Sequence, residues 1–258
     1  MFHRILIPTD FSTASEWVFE DAVRIAGSSG AEIVILHVRM TWASHPEELR
    51  FPADPSLYEY AEKLELERLR DRVRRANSSV STRLIVRQAP HPGEEICKTA
   101  KEENADLIVI ATHGRHHVSH LFVGSTTLAV LKDPPAPVLA IRYGIRKRAA
   151  LRRVVVPVHL QQTSQRALDL AVREAGEIHL VTVCSEEEHA RAEEKLRAMT
   201  ASLPHVKTAV IRGKDPEDEL LRYATKAEID AIFLNSAAEP SQRKIDIVRH
   251  APVPVMIV

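Results

Sequence analysis

A chain of 258 residues holds either one large domain or two of about 130 residues each. Lys plus Arg number 35 and Asp plus Glu 35, and the balance survives division, with 20 basic against 19 acidic residues in 1–150 and 15 against 16 in 151–258. Neither half carries the basic excess that a nucleic-acid surface or an anionic membrane binder needs. With 45% hydrophobic and 27% charged residues, the composition is that of a folded globular protein.

The first apolar run, Ile5-Leu6-Ile7, begins at once, leaving no room for a signal peptide, and no run approaches the roughly 18 residues that span a bilayer. A cytoplasmic protein is expected. Ile5–Ile7 reads as a strand buried on both faces. Thr13-x-x-Glu16 forms a capping box, and Ala14, Val18, Ala22 and Ile25 repeat at helical spacing until Gly27 and Gly30 stop the helix. A second strand follows at Ile33–Leu36. Leu57, Ala61, Leu64, Leu69, Val73 and Ala76 then stripe a long charged helix, and a third strand is predicted at Arg83–Val86. A helix over Glu94–Ala105, a strand at Leu107–Ile110, a helix over Ser125–Lys132 and a strand at Val138–Ile141 complete the series. Strict alternation of strand and helix predicts a parallel sheet covered by helices on both faces.

The series then repeats. Residues 4–27, RILIPTDFSTASEWVFEDAVRIAG, match residues 153–176, RVVVPVHLQQTSQRALDLAVREAG, at an offset of 149. PGEEICKTAKEENADLIVI from Pro92 matches PEDELLRYATKAEIDAIFL from Pro216 at an offset of 124, and Pro135–Leu139 matches Pro252–Met256 at 117. The chain is therefore read as a tandem duplication: a first domain over 1–144, a shortened second over 151–258, and a connector containing Arg146-Lys147-Arg148 that fits a solvated linker. Each copy is expected to be a doubly wound α/β domain.

Ligands of such folds sit outside the carboxyl ends of strands, where the strand order reverses. The candidate positions are Pro8-Thr9-Asp10, Val38-Arg39 and everything from Ala111. There the chain reads Ala111-Thr112-His113-Gly114-Arg115-His116-His117-Val118-Ser119-His120-Leu121-Phe122-Val123-Gly124-Ser125-Thr126-Thr127. Gly124 and three hydroxyl residues at a helix start supply exposed N–H groups, a positive dipole end and room for a phosphate. A plain turn at Gly124, with Ser125 or Thr126 capping the helix, fits the local chemistry as well.

The loop resembles the G-x-x-G-x9-G-[ST] signature of the universal stress protein family, with Gly114, residues 115–123, Gly124 and Ser125 in register. The Pro-x-Asp end of the first strand and the closing Pro-Val-Leu strand are similar to that family too. The resemblance implies five-stranded open parallel sheets of order 3-2-1-4-5 and an adenine nucleotide (ATP, or AMP or ADP, with Mg as an optional companion) at the switch point. By position, Pro8, Thr9 and Asp10 would face the adenosine, Val38 would offer its backbone to the adenine, and Ile110 and Ala111 would line base and ribose. Gly114, Gly124, Ser125 and Thr126 would hold the phosphates, with His113 and Arg115 near them. The chain departs from the signature at Ala111, where the family has a glycine, and at His117.

In the second copy the corresponding stretch, Asn235-Ser236-Ala237-Ala238-Glu239-Pro240-Ser241, has no glycine, and His159 stands where Asp10 does. The nucleotide is thus expected in the first copy only. Relatives imply that the copies associate through their last strands as a pseudo-dimer within one chain, with a homodimer of chains as a further option.

Other constellations read as structural. His113, His116, His117 and His120 lack an Asp, Glu or Cys partner, so no metal site is expected. Cys97 and Cys184 lack CxxC spacing and read as small buried side chains. Trp42, His45 and the Pro-rich stretch 46–55 form a long irregular connection. No GK[ST] and no nucleophile elbow occurs, which favours a regulatory stress-response binder. A slow ATPase and a nucleotide-free interaction protein are the alternatives.

Overall fold

The computed structural model describes residues 1–41, 55–113, 123–145, 151–159, 165–201, 203, 205–236 and 241–258. The chain forms two compact units, Phe2–Pro137 and Val138–Val258, with Met1 grouped with the latter.

In the first unit, β1 (Arg4–Thr9) leads through α1 (Thr13–Trp17) and α2 (Phe19–Ser29) to β2 (Glu32–Met40), and α3 (Pro55–Ala76) leads to β3 (Thr82–Ala89). Then α4 (Pro92–Glu102) precedes β4 (Leu107–Ala111), and α5 (Ser125–Lys132) follows it. The strands are parallel in the order β3-β2-β1-β4, with Ile5 opposite both Ile33 and Leu107. Ile5, Leu6, Ile7, Ile33, Ile35, Leu36, Leu107 and Ile108 are fully buried. Strands covered on both faces accept consecutive apolar residues, which is why these runs do not alternate. β3, at the end of the order, is half-buried or exposed along its length up to buried Ala89.

The first helical segment differs from the expected single helix. Ser12, not Thr13, is the N-cap and accepts from Ser15 N, and the helix is interrupted at Val18. Glu16 does not close a capping box; its carboxylate binds Arg68 and, at 3.0 Å, Arg72 on α3. Gly27 lies inside α2. The stop is Gly30, whose φ of 74° lets its N–H reach Ala26 O at 2.8 Å. Cys97 is only half-buried, whereas Cys184 is buried.

In the second unit, β5 (Val138–Ile141) precedes β6 (Arg153–Pro157), α6 (Gln165–Glu174), β7 (Glu177–Cys184), α7 (His189–Thr200) and β8 (Val206–Arg212). α8 (Pro216–Lys226), β9 (Ala231–Leu234), α9 (Ser241–His250) and β10 (Val255–Ile257) complete it. The parallel order β8-β7-β6-β9-β10 is 3-2-1-4-5 counted within the second copy, and β3-β2-β1-β4 follows the 3-2-1-4 part of the same order in the first unit. β5, the last strand of the first repeat, pairs antiparallel with β10, the last strand of the second, placing Leu139 opposite Met256. That pairing puts β5 in the second unit.

The repeat extends to individual hydrogen bonds. Asp106 Oδ1 accepts from Arg4 N and Asp230 Oδ2 from Arg153 N, while Ile108 N donates to Pro137 O at 2.9 Å and Ile232 N to Pro254 O at 3.0 Å.

Gly93 fixes how closely α4 meets α5. A Cβ on it would lie 2.5 Å from Ala129 Cβ and 3.0 Å from Thr126 O, so the start of α5 rests on bare backbone. Gly93→Ala is expected to destabilise the protein by about 1–3 kcal/mol through overpacking, and Ala129→Gly in the same chain to restore part of that. Thermal melts of the single and double variants check this; equal melting temperatures for wild type and Gly93→Ala would contradict it.

Candidate functional site

In the first unit the chain runs outward from β1 to β2 and β3, then returns to the other side of β1 at β4. The carboxyl ends of β1 and β4 are therefore the reversal point where such sheets bind ligands. Pro8 and Thr9 end β1, both buried. Thr9 Oγ1 accepts from Phe11 N at 3.0 Å and lies 3.1 Å from Ser15 Oγ, while Asp10 Oδ1 accepts from Ser12 N at 3.0 Å and Ser12 Oγ at 2.6 Å. These bonds hold the turn from β1 into α1, so Asp10 is a pre-set carboxylate at the strand end. Phe11 within this turn adopts φ 61°, a left-handed conformation costly for an aromatic residue.

Across the crevice, Ile110 and Ala111 close β4, both buried. Ala111 is extended and lies outside the positive-φ residues, so the departure from the family glycine costs no backbone strain. Its carbonyl accepts from Thr127 Oγ1 at 2.8 Å; the next carbonyl, of Thr112, accepts from Gly124 N at 2.8 Å. The start of α5 is thereby stitched to the end of β4. His113 is buried, with Nδ1 2.7 Å from Thr112 Oγ1.

Gly124 is the N-cap of α5, extended at φ −65° and ψ 151°, with no side-chain cap on the helix and no acid in its first turn. Ser125 and Thr126 thus begin the helix and do not cap it. The nearest atom a Cβ on Gly124 would meet is Thr112 O at 3.7 Å. Among the described residues, neither backbone conformation nor packing requires glycine there. Val38 stands one residue past Thr9↔His37, the last pair of the β1–β2 ladder, and is half-exposed. The site therefore brings together Pro8, Thr9, Asp10, Ile110, Ala111, His113, Gly124, Ser125 and Thr126 on two strand ends and one helix start, with Val38 beside them. Gly114, Arg115 and the run His116 to His120 lie outside the described residues, as do His117, residues 42–54 and Arg146-Lys147-Arg148. Among the described residues no group of three or more His, Cys, Asp or Glu side chains could hold a metal ion.

Sequence reasoning missed the polar chain behind β1. His37 Nδ1 donates to Thr9 O at 2.8 Å, and its Nε2 lies 3.6 Å from Glu62 Oε2 on α3. Arg39 grips Glu62 with two bonds of 3.0 and 3.1 Å and reaches Glu59 at 3.1 Å. Its hydrogen bonds to Glu62 hold the guanidinium pKa above its ordinary value. His37 is 4% exposed and Glu62 7% exposed, and Phe11 stacks on the His37 ring at 4.4 Å. A buried carboxylate is thus tied to the carbonyl that ends β1. In the sequence Glu62 looks like any other acid of a charged helix; the signal would have been the close spacing of His37 and Arg39 on one strand.

A model of the universal stress protein family matches residues 1–142. Universal stress protein MJ0577 of Methanocaldococcus jannaschii is 28% identical over 159 residues, covering 55% of this chain and 96% of that protein. A universal stress protein of Thermus aquaticus is 32% identical over 145 residues, covering 55% of this chain and 100% of its own length. The crystal structure of a universal stress protein from Archaeoglobus fulgidus is 25% identical, covers 98% of this chain and 95% of its own, and has a TM-score of 0.75. The chain belongs to the universal stress protein family.

Glu62→Ala would take the buried acid from beside His37 and leave Arg39 its contact with exposed Glu59, and is expected to cost about 3 kcal/mol. Denaturant unfolding measures it, and a loss below about 1 kcal/mol would show that the network is screened like a surface pair.

Proposed function

We propose that the first copy binds an adenine nucleotide, ATP or AMP, and that the protein acts as a nucleotide-dependent regulatory module of the stress response. Gly124 carries this reading. It opens α5 with an extended backbone and no side-chain cap, and nothing among the described residues requires it to lack a side chain. A missing Cβ at a helix N-terminus leaves backbone N–H groups open to close approach by an anion. The hydroxyls of Ser125 and Thr126 stand beside it. The Asp10 carboxylate and the apolar wall of Ile110 and Ala111 suit the ribose and base, and the Val38 backbone suits the adenine edge. His113 and the neighbouring Gly114 and Arg115 would complete the phosphate end. The resemblance of residues 111–126 to the family signature supports the same assignment.

The second copy is read as a partner without adenylate, because Ser241 takes the place of Gly124 and His159 the place of Asp10. Nucleotide occupancy of the first copy would then be what other proteins sense. The absence of a membrane-crossing helix among the described residues agrees with a cytoplasmic role.

Gly124→Asp tests the assignment without endangering the fold, since aspartate is a favoured N-cap. Calorimetric titration of ATP, ADP and AMP is expected to show binding by the wild-type protein and at least a tenfold weaker affinity in the variant, roughly the loss of one charge-assisted contact. A parallel phosphate-release assay is expected to stay at background. Failure of the wild type to bind any adenylate, or unchanged affinity in the variant, would overturn the reading; steady release abolished in Gly124→Asp would favour a slow ATPase.

A further inference from the structure

Each copy carries a charged corner at the start of its second strand, and the second copy has built onto it. Glu32 at the start of β2 binds Arg4 and Arg83. Glu177 at the start of β7 stands 3.3 Å from Arg153 and 2.9 Å from Lys207, which occupy the matching places in the ladders. This is the amino end of the strands, away from the crevice at their carboxyl ends. Two residues on, buried Val34 of the first copy becomes His179, and buried Thr99 of α4 becomes Tyr223 of α8. The two new side chains meet. His179 Nε2 lies 2.6 Å from Glu177 Oε1, and its Nδ1 lies 2.7 Å from the Tyr223 hydroxyl.

A carboxylate, an imidazole and a hydroxyl bonded in that order is the arrangement by which a general base activates a nucleophile. The direction of each bond follows from the chemistry. Hydrogen bonds from His179 and then Lys207 hold the Glu177 pKa down to about 2, so its carboxylate is ionised and only accepts. The neutral imidazole therefore donates from Nε2, which leaves Nδ1 as the acceptor for the phenolic hydroxyl. His179 is 5% exposed, with its ring edge-on to that of Tyr223 at a centroid distance of 5.7 Å, while Tyr223 itself is half-buried. Burial raises the Tyr223 pKa, so the phenol keeps its proton near neutrality and needs a base to give it up. Arg153 supplies a cation beside it. Its Nη1 donates to Ala227 O at 2.9 Å, one turn beyond Tyr223 at the end of α8, and its charge acts on the phenol against the effect of burial. Asp230 also stands at this corner, accepting from Arg153 N at 2.9 Å.

We propose that Tyr223 is a nucleophilic acceptor for the phosphoryl group of an activated donor, with His179 as its base, Glu177 as the carboxylate that positions the imidazole and Arg153 as the cation for the phosphoryl oxygens. The phenolic oxygen attacks phosphorus as its proton passes to His179 Nδ1. An O–P bond forms, the bond from phosphorus to the leaving group breaks, and the electron pair departs with that group. The product is a phosphotyrosine, whose added negative charge Arg153 and Lys207 offset. The first copy has valine and threonine at these places and offers no counterpart. The site is independent of the adenylate reading of the first copy.

An alkyl fluorophosphonate, which leaves its phosphonyl group on the acceptor and releases fluoride, tests this on the full chain, with peptide mapping by mass spectrometry. The expected result is an adduct on Tyr223 that forms well ahead of any on Tyr58, Tyr60 or Tyr143 and is lost in Tyr223→Phe. Its rate is expected to level off near neutral pH instead of climbing towards about pH 10, where free phenols ionise. His179→Gln keeps a polar group between Glu177 and Tyr223 but removes the base, and is expected to slow labelling on the order of a hundredfold at an unchanged melting temperature. If that variant does not fold, the wild-type pH profile decides alone. No adduct on Tyr223, equal labelling of the four tyrosines, or a rate that climbs towards pH 10 and ignores His179→Gln would overturn the proposal.

Discussion

The parallel pairing of β1 with β4 is the constraint on which the rest of the first unit depends. Strands joined in parallel must be linked by crossovers, and the order β3-β2-β1-β4 places the reversal between these two. Because Ile5, Leu6, Leu107 and Ile108 are covered on both faces, polar groups are pushed to the strand ends, and the two ends are finished differently. At the amino end, Glu32 binds Arg4 and Arg83 at 2.9 Å each, Glu103 binds Arg83, and Asp106 accepts from the N–H groups of His3 and Arg4. Charges there neutralise one another. At the carboxyl end stand hydroxyls, the Asp10 carboxylate and a helix start whose N-cap is a glycine, groups a ligand can engage.

The second unit preserves the frame and changes what is presented. The carbonyl after β6, of Val158, is held by Thr182 Oγ1, where the first copy uses His37 on Thr9 O. His159 succeeds Asp10, Ser241 succeeds Gly124 and Lys244 succeeds Thr127. The main-chain bonds from Ile108 to Pro137 O and from Ile232 to Pro254 O match, while the side chains around the reversal point differ in charge and size. The second copy has therefore kept the strand frame while the side chains of the crevice have diverged, as expected when a fold is specified by burial and a site by a few side chains.

Much of this was legible in the sequence for physical reasons. Strands buried on both faces show as unbroken apolar runs, so Ile5–Ile7 and Leu107–Ile110 were read directly, and the repeat displayed the order of elements twice. The start of α5 at Ser125 follows from glycine beside short hydroxyl residues. Other features depend on contacts between distant residues. The break at Val18, and Glu16 turning from a local cap to Arg68 and Arg72, require α3 to lie alongside the first helices. The burial of Glu62 beside His37 and Arg39 is likewise invisible in a helix of mixed charge. Ala111 could be judged harmless only once its backbone was known to be extended, and the burial of Lys244 shows only in three dimensions.

The central claim is that one copy retains the nucleotide site and the other has given it up. Native mass spectrometry of the full chain with excess ATP counts bound nucleotides per chain directly. One nucleotide per chain, absent when Gly124 is aspartate, is the predicted result. Two per chain, or one that survives Gly124→Asp, would contradict it.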